Sequence, residues 1–598
     1  MWGHVSLRGS GATKQSQPLL AIEDGRLLRY TRNDIIRSLP IDKTDSILYN
    51  VAQFVLFRSG HPKEETMAET TTQRHLNKAY DCVVIGAGNG GLSAAAQLAA
   101  KGARVLLLEQ HSLPGGFATS FVRGRFEFEA ALHAFCDIGS PTFKGAVRTF
   151  LEDELGIYLD WVEIPEAYRL ILTDPGEDLD VTMPYGVQDF ITAIEKAAPG
   201  SRESVTNYVN LCKEVLEAIT YIGQSKGHPN RSVLTKQYAN FLKTCPYTMD
   251  QVADALKIPE RARKILHAQW TYLGPPTSRL NFTVYGAMFY LFLITSAYIP
   301  RQRSHEFALA LDARIRELGG HVEYNTRVEK VLARNGRVVG VATSKGDQIE
   351  TGHVISNASP TLVYNHLVSP KTEVPEIALR QCNARVNGVS SVVVYLGLDA
   401  TLEELGLHEY SYFVYANMNT DEMYETCKTL DAPKIQAVLC LNNALPDCSP
   451  PGTSIVSITT LYRPEVWKNV APQDYVRVKN KVASDLIAHF EQATGAPIRE
   501  HIEEFEVATP QTFARYTGSY NGIIYGYEPE PWDSLMPRMM MMQDDKHLDG
   551  LEFCGGFGFR CHGYSSSVKS GQTIALITWR DMLALSEANV MEKGEVQQ

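Results

Sequence analysis

The sequence predicts an α/β protein built around a dinucleotide-binding unit, with a mixed α+β region interleaved along the chain. Three features predict it. A glycine turn follows an apolar strand and opens a helix, an acidic residue stands at the end of the next strand, and beyond Gly320 the pattern changes from helical stretches to short strands.

Cys82-Val-Val-Ile85 is a short apolar run suited to a buried parallel strand, and it leads directly into Gly86-Ala-Gly88-Asn-Gly-Gly91. Leu92 to Lys101 is rich in the helix formers Ala and Leu, Gly102 stands where a C-cap belongs, and Arg104-Val-Leu-Leu-Leu108 supplies the second strand. The glycines divide the work. Gly86 permits the tight turn, Gly88 lets backbone approach a pyrophosphate, and Gly91 allows close packing of helix on strand. The helix N-terminus offers unpaired N–H groups and partial positive charge to the phosphates. Glu109 lies 23 residues past Gly86, where a carboxylate can accept from ribose hydroxyls. Glycine turns of this spacing also occur without ligands; it is the strand, helix, second strand and acid in register that specify the site.

Further along, Pro114-Gly115-Gly116 with Thr119-Ser120 and Gly124-Arg125-Phe126-Glu127-Phe128 resembles the second glycine turn of FAD enzymes in the glutathione-reductase-like and amine-oxidase-like superfamily. Near the other end, Asp549-Gly-Leu-Glu-Phe-Cys-Gly-Gly556 resembles the strand and turn that reach the flavin ribityl chain, and Ser570-Gly571 opens a closing helix. Between about Tyr80 and Met582 the chain resembles the phytoene desaturase, carotenoid isomerase and retinol saturase group. The matching pieces are Gln269-Trp270 with Gly274-Pro275-Pro276, Ala297-Tyr298-Ile299-Pro300, Leu318-Gly319-Gly320, Asn325-Thr-Arg-Val-Glu-Lys-Val331, Val354-Ile-Ser-Asn357-Ala358, Tyr395-Leu-Gly397-Leu398, Thr509-Pro510, Arg515-Tyr516-Thr517-Gly518 and Tyr525-Gly526.

This resemblance implies FAD as cofactor and a Rossmann-like FAD-binding domain in three parts (79–150, 311–368 and 541–598). A discontinuous substrate domain would separate them, largely helical over 151–310 and β-rich over 369–540, after an N-terminal extension over 1–78. Cofactor contacts are expected from Gly86, Gly88, Asn89, Gly90, Gly91, Glu109, Gln110, Gly115, Gly116, Ala118, Thr119, Val331, Gly555, Gly556 and Tyr564. The chain departs from the group at Phe117, where relatives often carry Arg; at Pro300-Arg-Gln-Arg303-Ser304, for Pro-Lys-Gly-Gly-Ser; and at Gly555-Gly556, for Gly-Asp. Backbone N–H groups and the helix dipole supply enough of the grip for FAD binding to survive these losses.

At 598 residues and 44% hydrophobic the chain can bury a large core, and a net charge of -11 argues against nucleic-acid binding, which needs a basic surface. Ten cysteines without a C-x-x-C pair fit a reducing, cytoplasmic setting; Cys554 and Cys561 are the pair to watch, with buried inert thiols as the simpler reading. Residues 1–66 lack a secretory pattern and are expected to be a disordered extension or a start-site artefact, Met67 opening a short polar leader. The oligomeric state is not written in the sequence.

Phe282 to Ile299 is an 18-residue stretch without formal charge. It reads either as a buried helix of the substrate domain or as an apolar wall that admits a lipid-like substrate, including from a membrane surface in peripheral contact. Residues 151–300 otherwise look helical, with breaks at Pro229, Pro246 and Pro275-Pro276, whereas His321-Val-Glu-Tyr324, Val338-Val-Gly-Val341, Val354-Ile355, Ser390 to Leu398 and Ser454 to Leu461 read as strands. Val328 to Val331 are implied to meet the adenine end of FAD. The Met539 to Met542 run reads as a pliable apolar lining rather than a metal box.

No hydrolytic triad or metal motif has legible spacing. A flavin would carry the hard step, with His562, Cys561, Arg515 and Tyr516 as proton-transfer candidates because they flank motifs expected near the isoalloxazine, and His133 as a further one. The resulting expectation is an FAD-dependent oxidoreductase acting on a carbon–carbon bond of an apolar isoprenoid or polyene-like small molecule, by desaturation, saturation or cis–trans isomerisation. A flavin amine oxidase, and a prenyl-binding protein of the GDP-dissociation-inhibitor type, are the alternatives.

Overall fold

The computed structural model of the protein describes residues 19–23, 26–30, 76, 78–225, 228–540 and 546–595. Two units are distinguished, Met1–Leu76 and Asn77–Gln598. In the first, Leu19–Glu23 and Arg26–Tyr30 pair as an antiparallel hairpin, so the expected absence of structure over the extension does not hold for these residues. The remainder of that expectation, to residue 75, lies outside the described residues.

The second unit carries a five-stranded parallel sheet in the order His321–Glu323, Val105–Leu108, Cys82–Ile85, Val354–Ser356, Leu551–Phe553. Each of its two central quartets, CVVI and VLLL, is fully buried, as strands covered on both faces must be. Four of the five strands coincide with apolar runs legible in the sequence, and the fifth with the Leu551 segment of the closing motif. Helix Asn89–Ala100 leaves the first glycine turn, and the long final helix Tyr564–Glu595 packs along it. A Cβ at Gly571 would fall 2.1 Å from the Gly90 carbonyl oxygen, so the two helices meet backbone to backbone.

A second sheet has seven strands in the order Asp180–Met183, Tyr168–Leu172, Ser411–Tyr415, Ile435–Cys440, Ser454–Tyr462, Ser390–Leu398, Ile502–Ala508. Only Tyr168–Leu172 and Ser411–Tyr415 run parallel; the other neighbours are antiparallel. Helix Tyr475–Thr494 covers one face through Val482, Leu486 and Phe490, packed with Val394, Val438 and Ile458. Residues of the opposite face, including Leu170, Phe413 and Ala437, join a cluster with helices Val187–Ala197, Arg202–Gln224 and Phe282–Thr295.

The stretch from 151 therefore differs from the helical expectation at its start: Trp161–Glu163 and Tyr168–Leu172 are strands recruited by long-range pairing with Tyr298–Pro300 and Ser411–Tyr415, which local pattern does not reveal, and Asp180–Met183 joins Tyr168–Leu172 as a hairpin. The uncharged stretch forms a 14-residue helix that stops at Ser296, whose φ of +55 turns the chain away. No helix among the described residues is long and apolar enough to cross a membrane. All ten cysteines are free, Cys554 and Cys561 included.

Candidate flavin and substrate site

A cavity of about 1210 Å³ runs through the second unit, bounded at one end by the first glycine turn and Glu109 and at the other by helices Arg202–Gln224 and Phe282–Thr295. Pockets for single drug-sized ligands hold roughly 300–1,000 Å³. This one is large enough for a dinucleotide and a second molecule together.

The dinucleotide end is made of backbone. A Cβ at Gly91 would fall 1.9 Å from the Gly86 carbonyl oxygen, and one at Gly90 would fall 2.6 Å from the Gly555 nitrogen. Asn357, just past the fourth strand of the parallel sheet, threads between the turns: Cβ atoms at Gly88 and Gly555 would meet its side chain at 2.5 and 2.0 Å. Helix Asn89–Ala100 has no side-chain cap and no acidic residue in its first turn, and Asn89 Oδ1 is buried without a partner. Its first N–H groups are thus left to an external anion, which is what a pyrophosphate requires. Glu109 is anchored by two donors, with the Ala87 N–H 2.6 Å from Oε2 and the His111 N–H 2.7 Å from Oε1. A carboxylate has about four acceptor sites, so two stay free for hydroxyls. These features fit a flavin dinucleotide.

The second turn is tied in by the Gly115 N–H to the Ala87 carbonyl, 2.7 Å, and by the Tyr564 hydroxyl donating to the Phe117 carbonyl, 2.8 Å. Gly86, Gly88, Asn89, Gly90, Glu109, Gln110, Gly115, Gly116, Gly556 and Tyr564 line the cavity. Gly91, Ala118, Thr119 and Gly555 are not among the lining residues; Gly91 and Gly555 support the turns from behind, and the Ala118 carbonyl lies under Gly115, where a Cβ would fall 2.0 Å from it. Val331 is fully buried and does not line the cavity; Val328 and Glu329, at the start of the same strand, line it instead.

The proton-transfer candidates separate. Arg515 is exposed and does not line the cavity. Tyr516 does, but its ring lies 4.2 Å from His111, two residues past Glu109, which places it at the ribose end rather than beside an isoalloxazine. Both sit in the last turns of helix Pro510–Thr517, which points that end at the loop after the second strand. Cys561 and His562 do line the inner cavity.

Cys561 receives a 3.1 Å contact from Arg538 Nη1, and burial raises its thiol despite that cation, leaving it protonated. His562 stacks on Tyr525 at 4.3 Å between centroids, and its Nε2 lies 3.3 Å from the Tyr272 carbonyl. A carbonyl only accepts, so the proton sits on Nε2, and Nδ1 is a buried acceptor without a partner. Burial, aided by Arg538, pushes its pKa down to about 3. His133, 3.2 Å from Thr459 Oγ1, is lowered by burial to about 4. Both imidazoles are neutral near pH 7 and poorly matched to proton transfer there. Gly556 packs beside His562, where a Cβ would lie in ordinary van der Waals contact, 3.7 Å from the histidine Cβ.

Beyond them the walls are apolar: Leu216, Ile219, Val284, Ala287, Met288, Leu291 and Leu535. Met539 is buried in the core outside the cavity and Met540 is exposed, so neither supplies the lining expected of them; Met541 and Met542 lie outside the described residues. Sequence reasoning missed Asn357 as a spacer, Tyr272, and three charged lining residues, Asp137, Arg560 and Lys569. The last two were visible as isolated cations on either side of His562 and Tyr564 in a segment otherwise rich in small residues.

The structure is similar to a putrescine oxidase with bound putrescine (TM-score 0.57, 14% identity, 85% of this chain and 99% of that one) and to a cyclohexylamine oxidase from Brevibacterium oxydans (TM-score 0.53, 14% identity, 84% of this chain and 99% of that one). These likenesses speak to the fold. By sequence the chain is similar to an all-trans-retinol 13,14-reductase of Danio rerio, 25% identical over 473 residues (75% of this chain, 77% of that one). It is also similar to a chloroplastic prolycopene isomerase of Daucus carota, 24% identical over 544 residues (85% and 81%). The family model of flavin-containing amine oxidoreductases matches residues 90–536, and the chain belongs to that family.

Proposed function

We propose that the protein binds FAD and acts on a carbon–carbon bond of a retinoid- or carotenoid-like polyene. The observation that carries this is the continuity of the cavity, from the glycine turns and Glu109 into a chamber walled by Leu216, Ile219, Val284, Ala287, Met288 and Leu291. Apolar burial at about 25 cal/mol per Å² lets such a chamber hold a long polyene with few polar anchors. The likeness to retinol reductases and prolycopene isomerases supports the same substrate class. A bound flavin would supply two-electron exchange with the bond. The chain's own residues hold the polyene in line, keep water out, and present neutral His562 and His133 that do not compete for protons. Contact with a membrane surface, from which such a substrate could enter, belongs to this proposal too, as does a cytoplasmic location.

The test uses holoprotein under anaerobic conditions, with oxidised or reduced flavin, mixed with retinoid and carotenoid polyenes and with amines, and products read by chromatography and mass. A gain of two hydrogens assigns saturation, a loss of two desaturation, and an unchanged mass at a new retention time isomerisation. Flavin reduction by an amine with no conversion of any polyene would refute the proposal.

A further inference from the structure

We infer that the apolar chamber is built for a chain that ends in a carboxylate, seated on Arg560; this rests on the polyene reading above and narrows its substrate class. On helix Arg202–Gln224 the cavity-lining Leu216 and Ile219 are followed on the same face, at i+7 from Leu216, by Gly223. A Cβ at Gly223 would lie 3.8 Å from Arg560 Nη2. The guanidinium thus stands at the end of an apolar strip, beside the bare backbone of Gly223.

Arg560 is conspicuous beside its neighbours. Arg538 and Arg385 share Asp533 at 2.7 and 3.2 Å, and Arg463 and Arg279 share Glu528 at 2.6 and 2.8 Å. Among the described residues, Arg560 has no carboxylate within 4.0 Å and no hydrogen-bond acceptor, and its Nε is buried without a partner. Only Nε is withdrawn from solvent; Arg560 is half-buried and its Nη groups stay open to the cavity, where a bound carboxylate would meet the guanidinium in a bidentate fork. Lys569, which also lines the cavity, donates only to Gln572. Asp137 is the one carboxylate that acts on both cations, and Glu154 acts on Lys569 besides, so Arg560 is the cation of the two left without a carboxylate of its own. The cofactor phosphates do not account for this unpaired cation, because their seat is the uncapped helix at Gly88–Asn89, whereas Arg560 faces the substrate-side helix.

The experiment titrates flavin-loaded protein with all-trans-retinoic acid, its methyl ester and retinol, following the flavin spectrum. The acid is expected to bind on the order of tenfold more tightly than the ester, as a charge-assisted contact implies. Arg560→Gln should abolish the preference and Arg560→Lys should keep part of it, with flavin content and Tm unchanged in both. Equal affinity of acid and ester in the wild type, which needs no variant to fold, overturns the inference and leaves the polyene reading standing. So does a preference that survives Arg560→Gln. Loss of flavin from both variants would reassign Arg560 to the cofactor and also overturn it. If none of the three ligands perturbs the flavin, the polyene reading falls together with the inference.

Discussion

The two ends of the cavity are built by opposite means. At the dinucleotide end, recognition comes from backbone: glycines with no room for a Cβ, an uncapped helix, and Glu109 braced by two N–H groups. At the substrate end it comes from side chains delivered by distant segments, with helices 202–224 and 282–295 facing residues 560–569. The first design is intolerant of added atoms and insensitive to side-chain identity elsewhere. The second can be altered wall by wall without disturbing the cofactor.

The harshest test of this contrast is Gly90→Val. Its Cβ would meet Gly555 backbone at 2.6 Å, and overpacking of this kind costs roughly 1–3 kcal/mol. Soluble protein without visible flavin absorption is expected; a full flavin complement would place the cofactor elsewhere. Glu109→Gln is milder, because one carbonyl oxygen still accepts but the charge-assisted bonds from Ala87 and His111 are lost. Flavin should bind about tenfold more weakly, a loss of about 1.4 kcal/mol by equilibrium dialysis; unchanged affinity would remove Glu109 from the site.

Ala287→Phe probes the other end. It fills part of the apolar chamber, so polyene affinity should drop several-fold while flavin content and Tm stay near wild type. Loss of flavin instead would mean that the two ends are not separable.

The dryness of the inner wall has a pH signature. His562 titrates at about 3 in the folded protein against 6.5 unfolded, so the unfolded chain binds more protons between these values and stability falls as pH drops through that window. Each such histidine contributes up to about 1.4 kcal/mol per pH unit. Glu129 and Glu552, raised by burial, act in the opposite sense. The difference between wild type and His562→Asn in denaturant melts isolates the histidine: the wild type should lose more stability than the variant between pH 6.5 and about 4, and parallel curves would show that His562 is not buried neutral. The smallest effect belongs to Arg515→Ala. The residue is exposed and off the cavity, so stability should change by no more than about 0.5 kcal/mol and turnover should not change. A large loss of turnover would restore it to the chemistry.

How much of this was legible in advance follows the same division. The parallel sheet, both glycine turns and Glu109 could be read because each is a local pattern: apolar quartets, glycine spacing, an acid at a strand end. Tyr516 was drawn to the wrong end of the cavity because nothing local records which way helix 510–517 points. Val331 was expected at the cavity, but only the start of its strand, Val328 and Glu329, reaches it, because the strand's course past the cavity is set by its sheet partners.

By itself, then, the sequence determined the dinucleotide cradle, since backbone that must approach a ligand or another backbone can only be glycine, and glycine spacing is visible in one dimension. Tertiary structure alone decided the substrate chamber. The pairing of Trp161–Glu163 with Tyr298–Pro300 and of Tyr168–Leu172 with Ser411–Tyr415, the spacer role of Asn357 and the meeting of Arg560 with Gly223 all depend on contacts between segments far apart in the chain. Burial, and the shifted pKa values and unmet charge that come with it, is a property of such contacts rather than of any residue's neighbours in sequence.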